Sequence, residues 1–156
     1  MTDPRFSNGP LSDLRVLELG TLLAGPFCGQ LLGDLGAEVI KIETPHQGDP
    51  MRKWGRQQEG EPSLWWPVIG RNKKAITLDL RQRDGQQLLK DLVAKADFLL
   101  ENFRPGTLEK WGIGYADVLA EKFESPGAQA KMLVNKARGG KWKKQADAEA
   151  KRDSAP

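Results

Sequence analysis

The sequence predicts an α/β protein organised around a parallel, Rossmann-like sheet. Two short apolar segments, residues 15–20 and 38–43, flank a segment with helical periodicity. A strand, a helix and a strand within about 30 residues make a βαβ unit, whose strands are parallel and joined by a right-handed crossover. Two more apolar segments, residues 74–80 and 98–101, alternate with helical segments further along the chain.

The first βαβ unit is predicted from apolar spacing and from the residues that bound each element. Gly20 ends the first strand, and Pro26 is favoured at the first position of a helix. The apolar residues that then recur at helical spacing are Phe27, Leu31, Leu32 and Leu35. Gly36 is placed to stop this helix. In the second strand Val39 and Ile40 are both apolar, as a buried strand requires.

The remaining elements are predicted in the same way. Residues 44–70 have no periodicity but hold three tryptophans, which disordered segments rarely do, so this segment is predicted to be functional or to meet a partner surface. A helix beginning at Asp84 has an apolar stripe of Leu88, Leu89, Leu92, Val93 and Ala96. Short helices are predicted at residues 107–111 and 115–120, and periodicity is lost beyond residue 121.

The composition fits one domain with a modest core. Of the 156 residues, 38% are hydrophobic and 29% are charged. The uncharged run at residues 19–33 is too short and too rich in glycine for a bilayer span of roughly 20 apolar residues. With no secretory signal at the first residues, we expect a cytoplasmic protein without membrane contact. The single Cys28 excludes an internal disulfide, and the absence of a Cys/His cluster predicts no metal site.

The net charge of +3 conceals a division of the chain at about residue 120. Residues 1–120 carry 15 Lys/Arg against 16 Asp/Glu, whereas residues 121–156 carry 9 against 5. We therefore expect an α/β segment at 1–120 and a basic, low-complexity tail at 121–156, disordered or helical. Within the tail, Trp142 lies among basic residues at 136–144. A basic-tailed nucleic-acid-binding protein is thus one alternative, although no folded nucleic-acid motif accompanies the tail.

The glycine-rich connection at residues 20–29 is a candidate phosphate site. A helix N-terminus at the carboxyl edge of a parallel sheet offers free backbone N–H groups and a positive dipole end. The glycines do not follow the G-x-G-x-x-G spacing, and no P-loop is present. Glu43, at the end of the second strand, is placed like the acid that holds a ribose in dinucleotide-binding domains. A non-catalytic nucleotide-binding module is therefore a second alternative.

Several blocks in order resemble one known family. They are LSDLRVLEL at 11–19, LAGPF at 23–27, LGDLGAEVIKIE at 32–43, GD at 48–49, RNKKAITLDL at 71–80, ENFRPG at 101–106 and KWGIGY at 110–115. Together they are similar to the N-terminal part of the class III coenzyme A transferases. That family includes formyl-CoA transferase, the carnitine and bile-acid CoA-transferases and α-methylacyl-CoA racemase.

The resemblance implies a fold, a reaction and partners. The fold is the N-terminal part of a large Rossmann-like domain that binds CoA, which in the family is completed by a smaller domain in an interlocked homodimer. The reaction moves CoA from an acyl-CoA to a carboxylic acid, through a thioester on an active-site aspartate acting as nucleophile. The expected cofactor is coenzyme A, bound as the acyl-CoA substrate, with no metal.

The resemblance also implies ligand contacts, residue by residue. Leu23 and Ala24 match the turn that lies against CoA, and Leu78 matches a residue beside the adenine. Asn102 matches the asparagine near the pantetheine. The basic candidates for the phosphates are Lys110, Arg104 and Lys74. Thr44 stands where the family commonly has an arginine, so one nucleotide contact is missing.

No catalytic residue is assigned by the resemblance. In the family the nucleophilic aspartate follows the E-N-F block after another strand and a glycine-rich segment. Residues 122–130 of this chain do not resemble that region. We therefore expect these 156 residues to bind CoA but to be inactive alone.

Overall fold

The computed structural model describes residues 9–56 and 63–118, which form a four-stranded sheet with helices on both faces. The strands are β1 (Arg15–Glu18), β2 (Glu38–Glu43), β3 (Lys73–Thr77) and β4 (Phe98–Leu100). The helices are α1 (Ala24–Asp34), α2 (Trp66–Ile69), α3 (Arg83–Val93) and α4 (Thr107–Lys110), with a 3-10 turn at Pro50–Arg52.

The sheet is parallel throughout and has the order β3-β2-β1-β4, which confirms the predicted Rossmann-like architecture. Val16 of β1 lies between Val39 of β2 and Phe98 of β4. The order reverses at β1, because the chain steps outward through β2 to β3 and then returns to the other edge of β1. Open α/β sheets bind ligands at this kind of reversal, outside the carboxyl ends of the strands.

β3 ends earlier than its apolar alternation predicts. Among the described strands it pairs only with β2, and its last pair joins Thr77 to Glu43, the final residue of β2. Leu78 still donates its backbone N–H to the Glu43 carbonyl at 2.9 Å. Beyond that bond β2 offers no further partner, so Leu78 and Leu80 pack past the end of the sheet rather than within it.

Strand alternation divides the core between two faces. The face toward α1 is small, and its buried members are Val16, Ala37, Val39 and Leu100. The face toward α3 is larger, and its buried members include Leu17, Leu19, Ile42, Leu89, Val93 and Leu99. The stripe predicted for α3 is therefore the packed one, except that Leu88 is 53% exposed.

Helix α1 packs on the sheet through its glycines rather than through its leucines. Gly25, Gly29 and Gly33, spaced four residues apart, are buried. The apolar residues exposed to between 46% and 52% are Leu23, Phe27, Leu31 and Leu35. Of the residues whose spacing predicts this helix, Leu32 alone packs against the core of this face. The helix begins at Ala24, so Pro26 lies within its first turn rather than at its first position.

The segment predicted to be a tryptophan-bearing loop is partly ordered by an aromatic contact. The Arg52 guanidinium, in the 3-10 turn, lies 3.8 Å from the ring centre of Trp66 at the start of α2. Trp54 and Trp65 are both 50% exposed. A cation over an aromatic face is attractive, so this contact joins Arg52 and Trp66 within the segment, while the other two rings are half exposed.

The expected boundary near residue 120 and the basic tail with Trp142 lie outside the described residues. Residues 115–118 are helical, where a helix at 115–120 is predicted. Within the ranges 9–56 and 63–118, the structure contains no helix with the length and apolar character needed to cross a bilayer.

The glycine face of α1 gives a first prediction. A Cβ on Gly29 would lie 1.9 Å from Oε2 of Glu18, which is buried beneath the helix. Gly29→Ala is expected to lower the free energy of unfolding by at least about 2 kcal/mol, because neither the carboxylate nor the helix can shift freely. Chemical denaturation of the 156-residue chain measures this loss.

Gly33→Ala is the matched control in the same helix. Its Cβ would meet the Asn72 carbonyl oxygen at 3.0 Å, a contact that a small shift relieves. Alanine also favours a helix over glycine by about 1 kcal/mol, so Gly33→Ala is expected to stay within about 1 kcal/mol of the wild type. Equal stability of the two variants would contradict the packing described here.

Candidate functional site

A cleft of about 130 Å³ opens at the edge of the sheet where the parallel strands end. Its apolar wall comes from Leu19 after β1, Ile42 of β2 and Leu78 after β3. Phe103 and Trp111 close the opposite side, with ring centroids 5.6 Å apart in an edge-to-face arrangement. Polar groups also line the cleft: Thr21, Lys41, Glu43, Thr44, Asp49, Asp79 and Arg81. An apolar cleft with a few polar groups is the usual form of a small-molecule site.

The turn that follows β1 borders this cleft. Its backbone at Gly20 lies against the backbone of Gly25 in the first turn of α1. A Cβ on Gly20 would lie 2.7 Å from the Cα of Gly25, and a Cβ on Gly25 would meet the Cα of Gly20 at the same distance. The Asn102 amide, just after β4, binds this turn from the side. Its Oδ1 accepts from the Thr21 N–H at 2.8 Å, and its Nδ2 donates to the Thr21 carbonyl at 3.0 Å.

Four charged side chains are buried between α1 and the sheet. The Lys41 ammonium lies 2.9 Å from Glu18 Oε1 and 2.8 Å from Asp49 Oδ2. The Lys73 ammonium lies 2.7 Å from Glu18 Oε2 and donates to the Pro26 carbonyl at 2.6 Å. All four side chains are at most 2% exposed. We call this set, Glu18, Lys41, Asp49 and Lys73, the buried charge network.

The network shifts the ionisation of neighbouring groups. Burial lowers the pKa of Lys73, although the Glu18 carboxylate opposes that shift. Burial also raises the pKa of the Cys28 thiol, and the nearby Glu18 carboxylate raises it further. A thiol whose pKa is raised is a weak nucleophile at neutral pH. Cys28 therefore behaves as a packing residue.

Glu43 forms an ion pair with Arg52 rather than a free ligand-binding carboxylate. Its Oε2 accepts from Arg52 Nε and from the Asp49 N–H, each at 2.8 Å, and its Oε1 accepts from Arg52 Nη2 at 2.7 Å. Burial alone raises the pKa of Glu43, but the bonds from Arg52 and Asp49 outweigh it, so the pKa lies below its ordinary value. The place suggested by analogy with a ribose-binding acid is thus occupied by an arginine.

The structure places the predicted ligand residues in different surroundings. Leu78 lines the cleft, and Leu23 and Ala24 lie exposed where α1 begins. Asn102 directs both groups of its amide to Thr21.

The three basic residues predicted to contact the phosphates lie in two different parts of the structure. Arg104 and Lys110 are exposed on the segment after β4, and each is next in sequence to a cleft residue, Phe103 and Trp111 respectively. Lys74 donates to Glu38 at 2.7 Å. Glu38 is the first residue of β2, at the end of the strand remote from the cleft.

Sequence reasoning missed several residues of this region. Phe103, Trp111, Asp79 and Arg81 line the cleft, and each lies shortly after a strand or a short helix. Because the carboxyl ends of parallel strands share one edge of the sheet, position alone could have indicated Asp79, Arg81 and Phe103. The buried charge network gave no such signal, since Glu18 and Lys41 alternate with apolar residues as solvent-facing residues do.

Within the described part of the chain, no group of three His, Cys, Asp or Glu residues is placed to hold a metal. An open parallel sheet with an apolar cleft at its reversal point is an arrangement in which α/β proteins commonly bind ligands.

Comparison with known proteins gives the family. The chain matches CoA-transferase family III over residues 11–123, and it belongs to that family. The resemblance seen in the sequence blocks is thereby confirmed.

Its relatives are longer than this chain. A succinyl-CoA–D-citramalate CoA-transferase of Chloroflexus aurantiacus is 64% identical over 111 residues, which are 71% of this chain and 28% of that protein. A human succinyl-CoA:glutarate CoA-transferase is 43% identical over 109 residues, covering 70% of this chain and 25% of that protein. The crystal structure of a CAIB/BAIF family protein from Brucella suis matches with a TM-score of 0.71 at 41% identity. The match covers 81% of this chain and 33% of that chain. The chain thus spans about a quarter to a third of their length.

The Glu43 ion pair gives a prediction on pH. Because its folded pKa lies below the ordinary 4.5, Glu43 stabilises the fold above that pH, and the stabilisation is lost as the pH falls through the folded pKa. Glu43→Gln is expected to cost about 2 kcal/mol at neutral pH. The difference from the wild type should shrink in acid, as urea denaturation over a pH series would measure.

Arg52→Gln and the double variant complete a mutant cycle for this pair. The coupling energy between Glu43 and Arg52 is expected to be large at neutral pH and small in acid. Stability curves of the wild type and Glu43→Gln that stay parallel throughout the acid range would contradict the assignment.

Proposed function

We propose that this chain is the CoA-binding N-terminal part of an enzyme that transfers CoA from an acyl-CoA to a carboxylic acid. The observation that carries the proposal is the cleft at the carboxyl ends of the strands, in a chain that belongs to CoA-transferase family III. The non-catalytic nucleotide-binding module and the nucleic-acid-binding protein have no such support, and they serve as outcomes of the test below.

The acyl donor we propose is succinyl-CoA and the acceptor a small dicarboxylic acid. The relatives from Chloroflexus aurantiacus and Homo sapiens are both named for succinyl-CoA, with D-citramalate and glutarate as the second substrate. The identity of 64% over 111 residues with the first of these supports the same class of substrate here.

The cleft suits the nucleotide end of CoA. Leu78 and Ile42 provide an apolar surface for the adenine, and the Trp111 ring closes the opposite side. Arg81 lines the cleft, and the exposed Arg104 and Lys110 lie on the segment that carries its aromatic wall. Arginine and lysine favour phosphate groups, so these three residues are the proposed phosphate contacts. Thr44 stands where the family commonly has an arginine and provides no cation. Arg81 provides a cation at the cleft instead.

The start of α1 supplies the second part of the proposed contact. Leu23 and Ala24 are exposed there, and no side chain caps the helix. The exposed apolar face of the same helix, from Leu23 to Leu35, supports a further contact with protein. We propose that this face is covered in the homodimer that the family resemblance implies, in a cytoplasmic enzyme.

Ligand titration tests the proposal. The 156-residue chain is expected to bind CoA, measured by isothermal titration. Leu78→Trp, which fills the cleft, should weaken CoA binding at least about tenfold. Leu88→Trp places the same substitution at a leucine that is 53% exposed and outside the cleft lining, so it should leave the affinity unchanged.

The alternatives have distinct outcomes in the same titration. Binding of NAD without CoA would favour the nucleotide-binding module, and salt-sensitive binding of a short RNA would favour the basic-tailed nucleic-acid binder. Equal loss of CoA affinity in both tryptophan variants would show that the ligand does not occupy this cleft.

Turnover is a separate prediction. The family resemblance assigns no nucleophilic aspartate to these residues, so the 156-residue chain should bind CoA without transferring it. Incubation with succinyl-CoA and D-citramalate or glutarate, followed by chromatography of the CoA esters, measures this. Formation of a new CoA ester at an enzyme-like rate would overturn the prediction of inactivity.

A further inference from the structure

Three consecutive residues of the turn after β1 are each held by a side chain from elsewhere in the chain. The Lys41 ammonium donates to the Gly20 carbonyl at 2.7 Å. Asn102 bonds both backbone groups of Thr21. The Asp49 Oδ1 accepts from the Leu22 N–H at 3.3 Å. The three side chains come from β2, from the segment after β4 and from the loop after β2, so the turn is fixed from three directions.

The backbone of this turn requires such support. Leu22 has a φ of 61°, a left-handed conformation that is unfavourable for a residue with a side chain. Its own side chain is 44% exposed, so packing of that side chain does not account for the conformation. Strained backbone of this kind persists where the surroundings over-determine it, and it is common at ligand sites.

We propose that Asp49 and Lys41 are positioning residues that hold the turn at residues 20–22 in the shape that binds the CoA thioester. This inference rests on the proposed function and extends it to residues that do not need to touch the ligand. Asp49 acts on Leu22 directly, and Lys41 acts on Gly20 while its charge holds Asp49 in place.

The hydrogen bonds of Lys41 favour a positioning role over simple packing. Lys41 donates to Glu18 Oε1 and to the Gly20 carbonyl, and its ammonium forms an ion pair with Asp49 Oδ2 at 2.8 Å. The Lys41 side chain is 1% exposed, and those of Glu18 and Asp49 are fully buried. A buried ammonium that loses one carboxylate is left partly uncompensated, so Lys41 cannot release Asp49 and keep the same position.

The same two residues connect the turn with the cleft. Lys41 and Asp49 line the cleft that we propose for CoA. Asp49 also donates its backbone N–H to Glu43 at 2.8 Å, and its Oδ1 accepts from the Met51 N–H at 2.8 Å. The side chain of Asp49 is thereby fixed by its own loop before it meets the turn. The Asp49 side chain therefore contacts both the turn and the cleft, and it is held in place by its own loop.

Substitution of Asp49 tests this role in the full 156-residue chain. Asp49→Ala removes the acceptor of the Leu22 N–H together with the partner charge of Lys41. Asp49→Asn keeps an oxygen for Leu22 and loses only the charge. Lys73→Met is the matched control, because it removes a buried charge of the same network at a residue that bonds neither residues 20–22 nor Lys41.

Two measurements are made on each variant: CoA affinity by isothermal titration, and hydrogen exchange of individual amides by NMR. In Asp49→Ala, exchange of the Leu22 amide is expected to rise at least about tenfold beyond any change at Val16 and Leu17. CoA affinity should fall by a similar factor, since the apparent affinity scales with the fraction of chains holding the binding shape. Both the CoA affinity and the Leu22 exchange rate of Asp49→Asn should fall between those of Asp49→Ala and the wild type.

Lys73→Met is expected to lose stability but to keep its CoA affinity within about twofold under folded conditions. Equal losses of affinity in Asp49→Ala and Lys73→Met would overturn the inference, because a merely structural network would act in that way. Leu22 exchange that is unchanged in Asp49→Ala would overturn it as well. If the wild type binds no CoA, the proposed function fails. Selectively faster exchange of the Leu22 amide in Asp49→Ala would still show that Asp49 holds the turn at residues 20–22.

Discussion

The buried charge network is the constraint on which the rest of this structure depends. Glu18 meets both lysines, Lys41 meets both carboxylates, and all four side chains are at most 2% exposed. Charges removed from water are tolerated only when each is paired and hydrogen-bonded. The network must therefore assemble as a whole, and every element that contributes to it is fixed relative to the others: β1, β2, β3 and the loop after β2.

The position of α1 follows from the same constraint. The Glu18 carboxylate lies so close beneath the helix that only glycine fits at position 29. The helix must turn its glycines inward, and the leucines that alternate with them are directed outward. The Lys73 ammonium then donates to the Pro26 carbonyl, which ties the first turn of the helix to β3. An apolar helix surface is thus a consequence of burying charge.

Most of the fold could be predicted from the sequence, because parallel strands buried on both faces leave apolar segments of recognisable length. β1, β2 and the β1–α1–β2 unit are of this kind. The orientation of α1 could not be predicted, because apolar periodicity identifies a face but does not say whether that face meets the sheet. Only the contact between Gly29 and Glu18, eleven positions earlier, decides it. The resemblance named Leu78, which lines the cleft, and the position of Arg81 just after β3 could have indicated it, whereas Trp111 required the folded structure. The roles of Lys41 and Asp49 required side-chain geometry.

The distribution of charge also explains why the turn can bear strain. Three carboxylates, on Glu18, Glu43 and Asp49, face three cations, on Lys41, Arg52 and Lys73. Arg52 neutralises Glu43, and the Glu43 carboxylate then accepts the N–H of Asp49. The loop after β2 is closed by this pair, so Asp49 reaches Leu22 without having to order the loop itself. The unfavourable backbone of Leu22 is therefore supported by interactions that are already complete before any ligand arrives. A site prepared in this way loses less entropy on binding than a flexible turn would.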